Sequence, residues 1–198
     1  MKKILCIAIA VFASLAAGAA ETVLASENFD GAPPKWRTAK GERGISVSRA
    51  EIVPRVGTDN SGAIVWYYDF SKDEPARMTY VRLRPLLEIP GKPVRFTVRI
   101  KGDKSGLGLA YRLRDASDRV WQFGLGPIDF EGWKEFDVTI KPGGFAWGGT
   151  VRPDKGFTYP LKFEEFLLDY SRPAEKNSGQ LVVDDLTIYG ETVEREEF

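Results

Sequence analysis

Arginines and aromatic rings carry most of the chemistry that this chain can place on a surface. Arg82 and Arg84, Arg95 and Arg99, and Arg112 and Arg114 each occupy alternate positions in runs whose other positions are apolar. Side chains of a strand alternate between its two faces, so these arginines share the side turned away from a core. Tyr80, Gln122, Glu135 and Asp137 fall on the same parity in their own runs, and Tyr67 opposes the apolar side of its run. A guanidinium is planar and pairs a carboxylate with two parallel bonds. Trp147 stands in a glycine-flanked stretch, GGFAWGG, where nothing in the local pattern buries it. It either marks a binding edge or plugs one end of the fold.

The acidic residues are less pointed. Asp184 shares parity with Val182, Leu186 and Ile188, the set expected to face inward. A carboxylate there is costly unless paired or metal-bound. The alternative is that it accepts backbone N–H bonds in a turn. The pairs Glu131/Glu135 and Glu164/Glu165 read as ordinary solvated surface. A glycosidase needs two carboxylates at a defined separation across a cleft, and spacing in sequence does not establish one. The chain has no histidine, which removes the usual general base, the common catalytic zinc sites and the Ser-His-Asp class. Its one cysteine, Cys6, lies in the leading segment, so the remainder holds no disulfide and no thiolate nucleophile.

Period-two alternation, broken by Gly, Asp, Ser and Pro clusters, predicts strands at 23–29, 45–53, 64–70, 78–87, 94–101, 107–114, 121–125, 133–140, 159–171 and 179–190. Within 159–171, the sequence FEEFLL passes for one helical turn. Residues 141–156 read as a long glycine-rich excursion, and Trp66, Trp121 and Trp133 as packed residues. This pattern predicts an all-β fold, an antiparallel two-sheet β-sandwich of jelly-roll type.

Residues 1–20 combine Lys2 and Lys3, a short apolar run and small residues before a cleavage point, the pattern of a secretory signal peptide. The expectation is a periplasmic or secreted protein, with one domain over 21–190 and an acidic tail at 191–198. Basic and acidic residues balance at 28 each, so no field that would gather nucleic acid is expected. No later apolar run is long enough for a membrane span.

Beyond these patterns, the GD-x-SG, LRDASD and IDFEGWKEF stretches, with ENFDG at 27–31 and VVDDLTIYG at 182–190, resemble carbohydrate-binding modules of the galactose-binding-domain-like β-jelly-roll type. The resemblance implies a non-catalytic module that receives a glycan on one sheet face, through stacking rings and planar groups that bond neighbouring hydroxyls in pairs. On this chain the implied contacts are Tyr67, Tyr80, Arg82, Arg84, Arg112, Gln122 and Trp147. The arginines suggest acidic glycans as the finer expectation. The resemblance also implies a structural calcium held by Asp30 and Asp184, with Glu27 and Asp185 as alternates. Two further readings stay open: a periplasmic structural or interaction domain, with another envelope protein as partner, and a polysaccharide lyase or hydrolase.

Overall fold

The computed structural model describes residues 21–30, 37–39, 47–71, 78–150, 153–170 and 174–192. The expected signal peptide and most of the acidic tail lie outside them. Twelve strands are found among the described residues: β1 (Thr22–Glu27), β2 (Arg37–Ala39), β3 (Val47–Val53), β4 (Ala63–Asp69), β5 (Met78–Ile89), β6 (Lys92–Asp103), β7 (Gly108–Arg114), β8 (Arg119–Pro127), β9 (Glu131–Thr139), β10 (Phe145–Gly148), β11 (Leu161–Asp169) and β12 (Ser178–Glu191). The first sheet runs β3-β4-β12-β6-β9, with β1 also beside β12, and the second runs β10-β8-β7-β11-β5-β2. The pairings are antiparallel, and the jelly-roll sandwich expected from the alternation is the fold observed.

The core lies between the sheets, where alternation sends one side of each strand. Ile64, Trp66 and Tyr68 enter it from β4, Phe96, Val98 and Ile100 from β6, and Tyr111, Phe163 and Phe166 from the second sheet. Ring contacts cross the interface, with Phe96 at 4.7 Å from Tyr111 and 6.2 Å from Phe163 between centroids. Burial of such side chains contributes roughly 1.5–3 kcal/mol each. Trp66 and Trp121 pack inside as expected, whereas Trp133 on the edge strand β9 is exposed.

The run from β6 to β9 visits the sheets in the order first, second, second, first. Its outward arginines therefore part company. Arg95 and Arg99 lie on the outer face of the first sheet, while Arg112 and Arg114, with Arg82 and Arg84 of β5, belong to the second.

Register shifts occur in several pairings, and two of them redirect acidic residues. In β11 the register shifts between Phe163 and Glu165. Both flanking phenylalanines reach the core, so Glu164 and Glu165 both turn outward, and the stretch that resembled a helical turn is strand. In β12 the register shifts between Asp184 and Thr187, and Asp185 adopts φ 51°. Leu181 and Val183 point inward before this bulge, Leu186 and Ile188 after it. Asp184 lies opposite Arg99 on the outer side, not among the inward set predicted for it.

Candidate binding face

The outer face of the second sheet gathers five of the seven residues expected to meet a ligand. Register sets Gln122 of β8 opposite Arg112 of β7, Arg112 opposite Glu165 of β11, and Glu165 opposite Arg82 of β5. Cross-strand neighbours share a face, so these four form one row across the sheet. Arg112 donates from Nε to Gln122 Oε1 at 2.9 Å and from Nη1 to Glu165 Oε1 at 2.6 Å. Arg82 Nε donates to the other Glu165 oxygen at 2.6 Å. Burial is the largest single influence and lowers the Arg82 pKa, but the bond to Glu165 and the negative charges of Glu165 and Glu164 together outweigh it, and the net shift is upward.

The ladder continues at Glu164. Its carboxylate lies 3.3 Å from Arg82 Nη2 and accepts from Arg114 Nε and Nη2 at 3.0 and 2.9 Å. Arg114 Nη1 closes the series on Asp118 Oδ1 at 2.8 Å. Both side-chain oxygens of Glu165 are engaged and the side chain is 0% exposed. Glu164 and Glu165, read from sequence as solvated, are thus buried members of an alternating charge network, which the β11 bulge makes possible.

The Arg112 guanidinium also lies over two rings, 4.6 Å from the centroid of Tyr80 and 4.8 Å from that of Trp147. Trp147 is in the edge strand β10, a strand that the glycine-rich reading missed. The F-A-W alternation inside GGFAWGG was its only local signal. Tyr80 is nearly buried, packed with Ala110 and Leu167 in a cluster separate from the main core.

Beside this row runs a groove of about 510 Å³. Its lining is made of small residues, Gly108, Ala110, Gly124 and Gly126, with Leu167, Gln122, Asp169 and Phe145 among the rest. Missing side chains on neighbouring strands make the concavity: a Cβ added at Gly124 or Gly126 would meet nothing within 4 Å. Phe145, at 67% exposure, stands at the rim and was not among the expected contacts.

The β7–β8 turn holds this register. Asp115 accepts from Ser117 N–H and Oγ–H at 2.9 and 2.6 Å, from Arg119 N–H at 3.1 Å and from Trp121 Nε1–H at 2.9 Å. Burial pushes its carboxyl upward, but the hydrogen bonds from Ser117, Trp121 and Arg119 outweigh it and hold the pKa below the ordinary carboxylate value.

Two expected contacts lie outside this row. Tyr67 is on β4 of the first sheet, with the Arg49 guanidinium 4.6 Å from its ring centroid. Arg84 is exposed on β5, beyond the ladder and next to the cis Arg84–Pro85 bond.

At the end of the first sheet, the carboxylates named for calcium separate into two groups. Asp30 Oδ1 accepts from Gly62 N–H at 2.7 Å and Glu27 Oε1 from Phe29 N–H at 2.9 Å, so both serve the local backbone. Asp184, fully buried, accepts from Thr58 N–H at 2.7 Å and Asp185 N–H at 2.9 Å. Arg99 Nη1 donates to Asp185 Oδ2 at 3.5 Å. The hydroxyl contacts join Thr58 Oγ1 to Asp184 Oδ2 (2.9 Å) and Asp185 Oδ2 (2.6 Å), and Ser61 Oγ to Thr58 O (2.5 Å) and Asp184 Oδ2 (2.9 Å). Each hydroxyl carries one hydrogen, so two hydrogens serve these four contacts. The oxygens are of the type a hard cation takes, and the Arg99 guanidinium already places one positive charge beside Asp185. No group of three or more His, Cys, Asp or Glu side chains able to hold a metal ion occurs among the described residues.

No family model and no curated protein matches the chain. Solved structures similar to it include the Family 11 Carbohydrate-Binding Module of the cellulosomal cellulase Lic26A-Cel5E of Clostridium thermocellum. That match has 17% identity over 89% of this chain and 98% of that one, with a TM-score of 0.49. Another is the CBM22-1-GH10 part of the Clostridium thermocellum xylanase Xyn10B complexed with xylohexaose, at 11% identity, 85% and 29% coverage and TM-score 0.48. A third is TmCBM27, a carbohydrate-binding module described for specific mannan recognition, at 12% identity, 88% and 100% coverage and TM-score 0.44. Each of these structures is or contains a carbohydrate-binding module, the kind that the residues resemble.

Proposed function

We propose that this protein binds a polysaccharide chain in the groove on the outer face of the second sheet, without cleaving it. The observation that carries this reading is the groove itself: a small-residue floor with an exposed ring at its rim and Gln122 in its wall. Sugars offer an apolar ring face and a fringe of hydroxyls, and a lining of this composition serves both. Glu164 and Glu165, the adjacent carboxylates on this face, are each committed to arginines, which favours a binding role over acid–base chemistry. Isothermal titration of the protein against a panel of soluble polysaccharides tests the reading, with Gly124→Leu as the blocked control. Binding by the parent and loss in the variant are expected. Absence of binding to the whole panel by folded protein would sink it and favour an interaction domain, with an envelope protein as its partner.

Two subsidiary expectations belong with it. The pattern of residues 1–20 supports export. A calcium ion, when bound, would be held by the carboxylates of Asp184 and Asp185 with oxygens of Thr58 and Ser61, and would supply only structural charge balance at that end of the sandwich.

A further inference from the structure

Resting on the reading of the groove as a glycan site, we infer that it takes an uncharged polysaccharide, and that the buried glutamates Glu164 and Glu165 close it to acidic ones. The arginines of this face had suggested the opposite preference. In the structure, however, the arginines of the ladder, Arg82, Arg112 and Arg114, are balanced by Glu164, Glu165 and Asp118, three charges against three, while Arg84 stands exposed beyond it. A uronate beside Arg112 meets a guanidinium whose charge Glu165 already balances, and it could gain the full charge only by drawing that guanidinium from Glu165, whose side chain has no solvent to turn to. An unpaired buried carboxylate would result, which is costly. A neutral hydroxyl asks for no such exchange.

The groove adds a second, independent bias. Gln122 has its amide oxygen engaged by Arg112 Nε, so its N–H groups are the part left for a ligand. Those donors match hydroxyl oxygens without any compensating charge. Selectivity for uncharged chains thus arises from pairing inside the protein and not from an absence of cationic residues.

The test compares the parent, Glu165→Gln and the double variant Glu165→Gln/Arg82→Gln, using uncharged β-glucan, xylan and mannan against polygalacturonate at low and high salt. Thermal melts establish that each is folded. The parent is expected to bind an uncharged polymer at both salt levels and polygalacturonate at neither. Glu165→Gln leaves one positive charge in excess and should gain roughly tenfold in affinity for polygalacturonate at low salt, the scale of one partly screened surface charge. The double variant restores balance and should lose that gain. If Glu165→Gln does not fold, Glu164→Gln creates the same imbalance and takes its place. Salt-sensitive binding of polygalacturonate by the parent overturns the inference while leaving the glycan reading intact. A folded glutamate variant with unchanged selectivity overturns the role of the pair. Failure of the parent to bind any polymer overturns the glycan reading beneath it.

Discussion

Arg112 Nη1 and Glu165 Oε1 meet at 2.6 Å on the outward side of a sheet, where the glutamate side chain is closed to solvent. Truncating Arg112 to alanine leaves one carboxylate oxygen unpaired while Arg82 still holds the other. The expected loss is on the order of 2–3 kcal/mol in urea denaturation. Arg112→Lys should recover only part of it, since an ammonium cannot bond Gln122 and Glu165 in the same planar geometry.

Gly124→Leu should separate binding from stability. The position has open space for a side chain and no left-handed backbone requirement. Leucine is expected to fill the groove and abolish polysaccharide binding while changing the melting temperature little. Gly179→Ala is the contrasting case, because its new Cβ would run into the Asp103 carboxylate and the Tyr68 hydroxyl, which are themselves joined at 2.6 Å. A loss of about 1–3 kcal/mol in denaturant unfolding is expected there.

Phe145→Ala removes an exposed ring that supports little of the fold. Stacking of this kind is worth about 0.5–1.5 kcal/mol, so affinity should fall by roughly two- to tenfold with the unfolding midpoint unchanged. An unaltered affinity would place the ligand away from the β10 rim.

The carboxyl of Asp115 has a folded pKa below its unfolded one. Its stabilisation is therefore fully present above the unfolded carboxylate value and is lost as pH falls through the lower folded value. Asp115→Asn should lower stability at neutral pH and flatten the acid limb of the stability profile, as measured by denaturation midpoints from neutral to strongly acidic pH. An acid limb identical to that of the parent would show that other carboxylates govern it.

Chelator titration addresses the oxygen cluster at Asp184. With calcium bound there, the melting temperature should fall in chelator and recover on adding calcium, and Asp184→Asn should remove that response. Equal melting in both conditions would mean that the Thr58 and Asp185 N–H groups suffice to hold the buried carboxylate.

Strand positions were legible in the residues because the alternation of β4, β6 and β7 is uninterrupted, and the two-sheet fold followed from it. What escaped was local. A single inserted residue reverses the parity of everything beyond it, which turned Asp184 outward and let Phe163 and Phe166 flank two outward glutamates. The arginines were read correctly as outward, but parity carries no information on partners. The buried glutamates that neutralise them come from β11, some 50 residues from Arg112 and 80 from Arg82. The groove was invisible for a related reason: its glycines become a floor only when β7 and β8 lie side by side.

The position of β12 has a bearing on when the protein can fold. This last strand is the centre of the first sheet, pairing with β4, β6 and β1, and Thr22 bonds to Gly190 across 168 residues of chain. Until β12 has left the ribosome, β1 and the β3–β4 pair have no neighbour to join them to β6 and β9. Loop closure over such separations is slow and unrewarded until the partner arrives. A nascent chain built this way cannot complete its first sheet until its final described strand has been made.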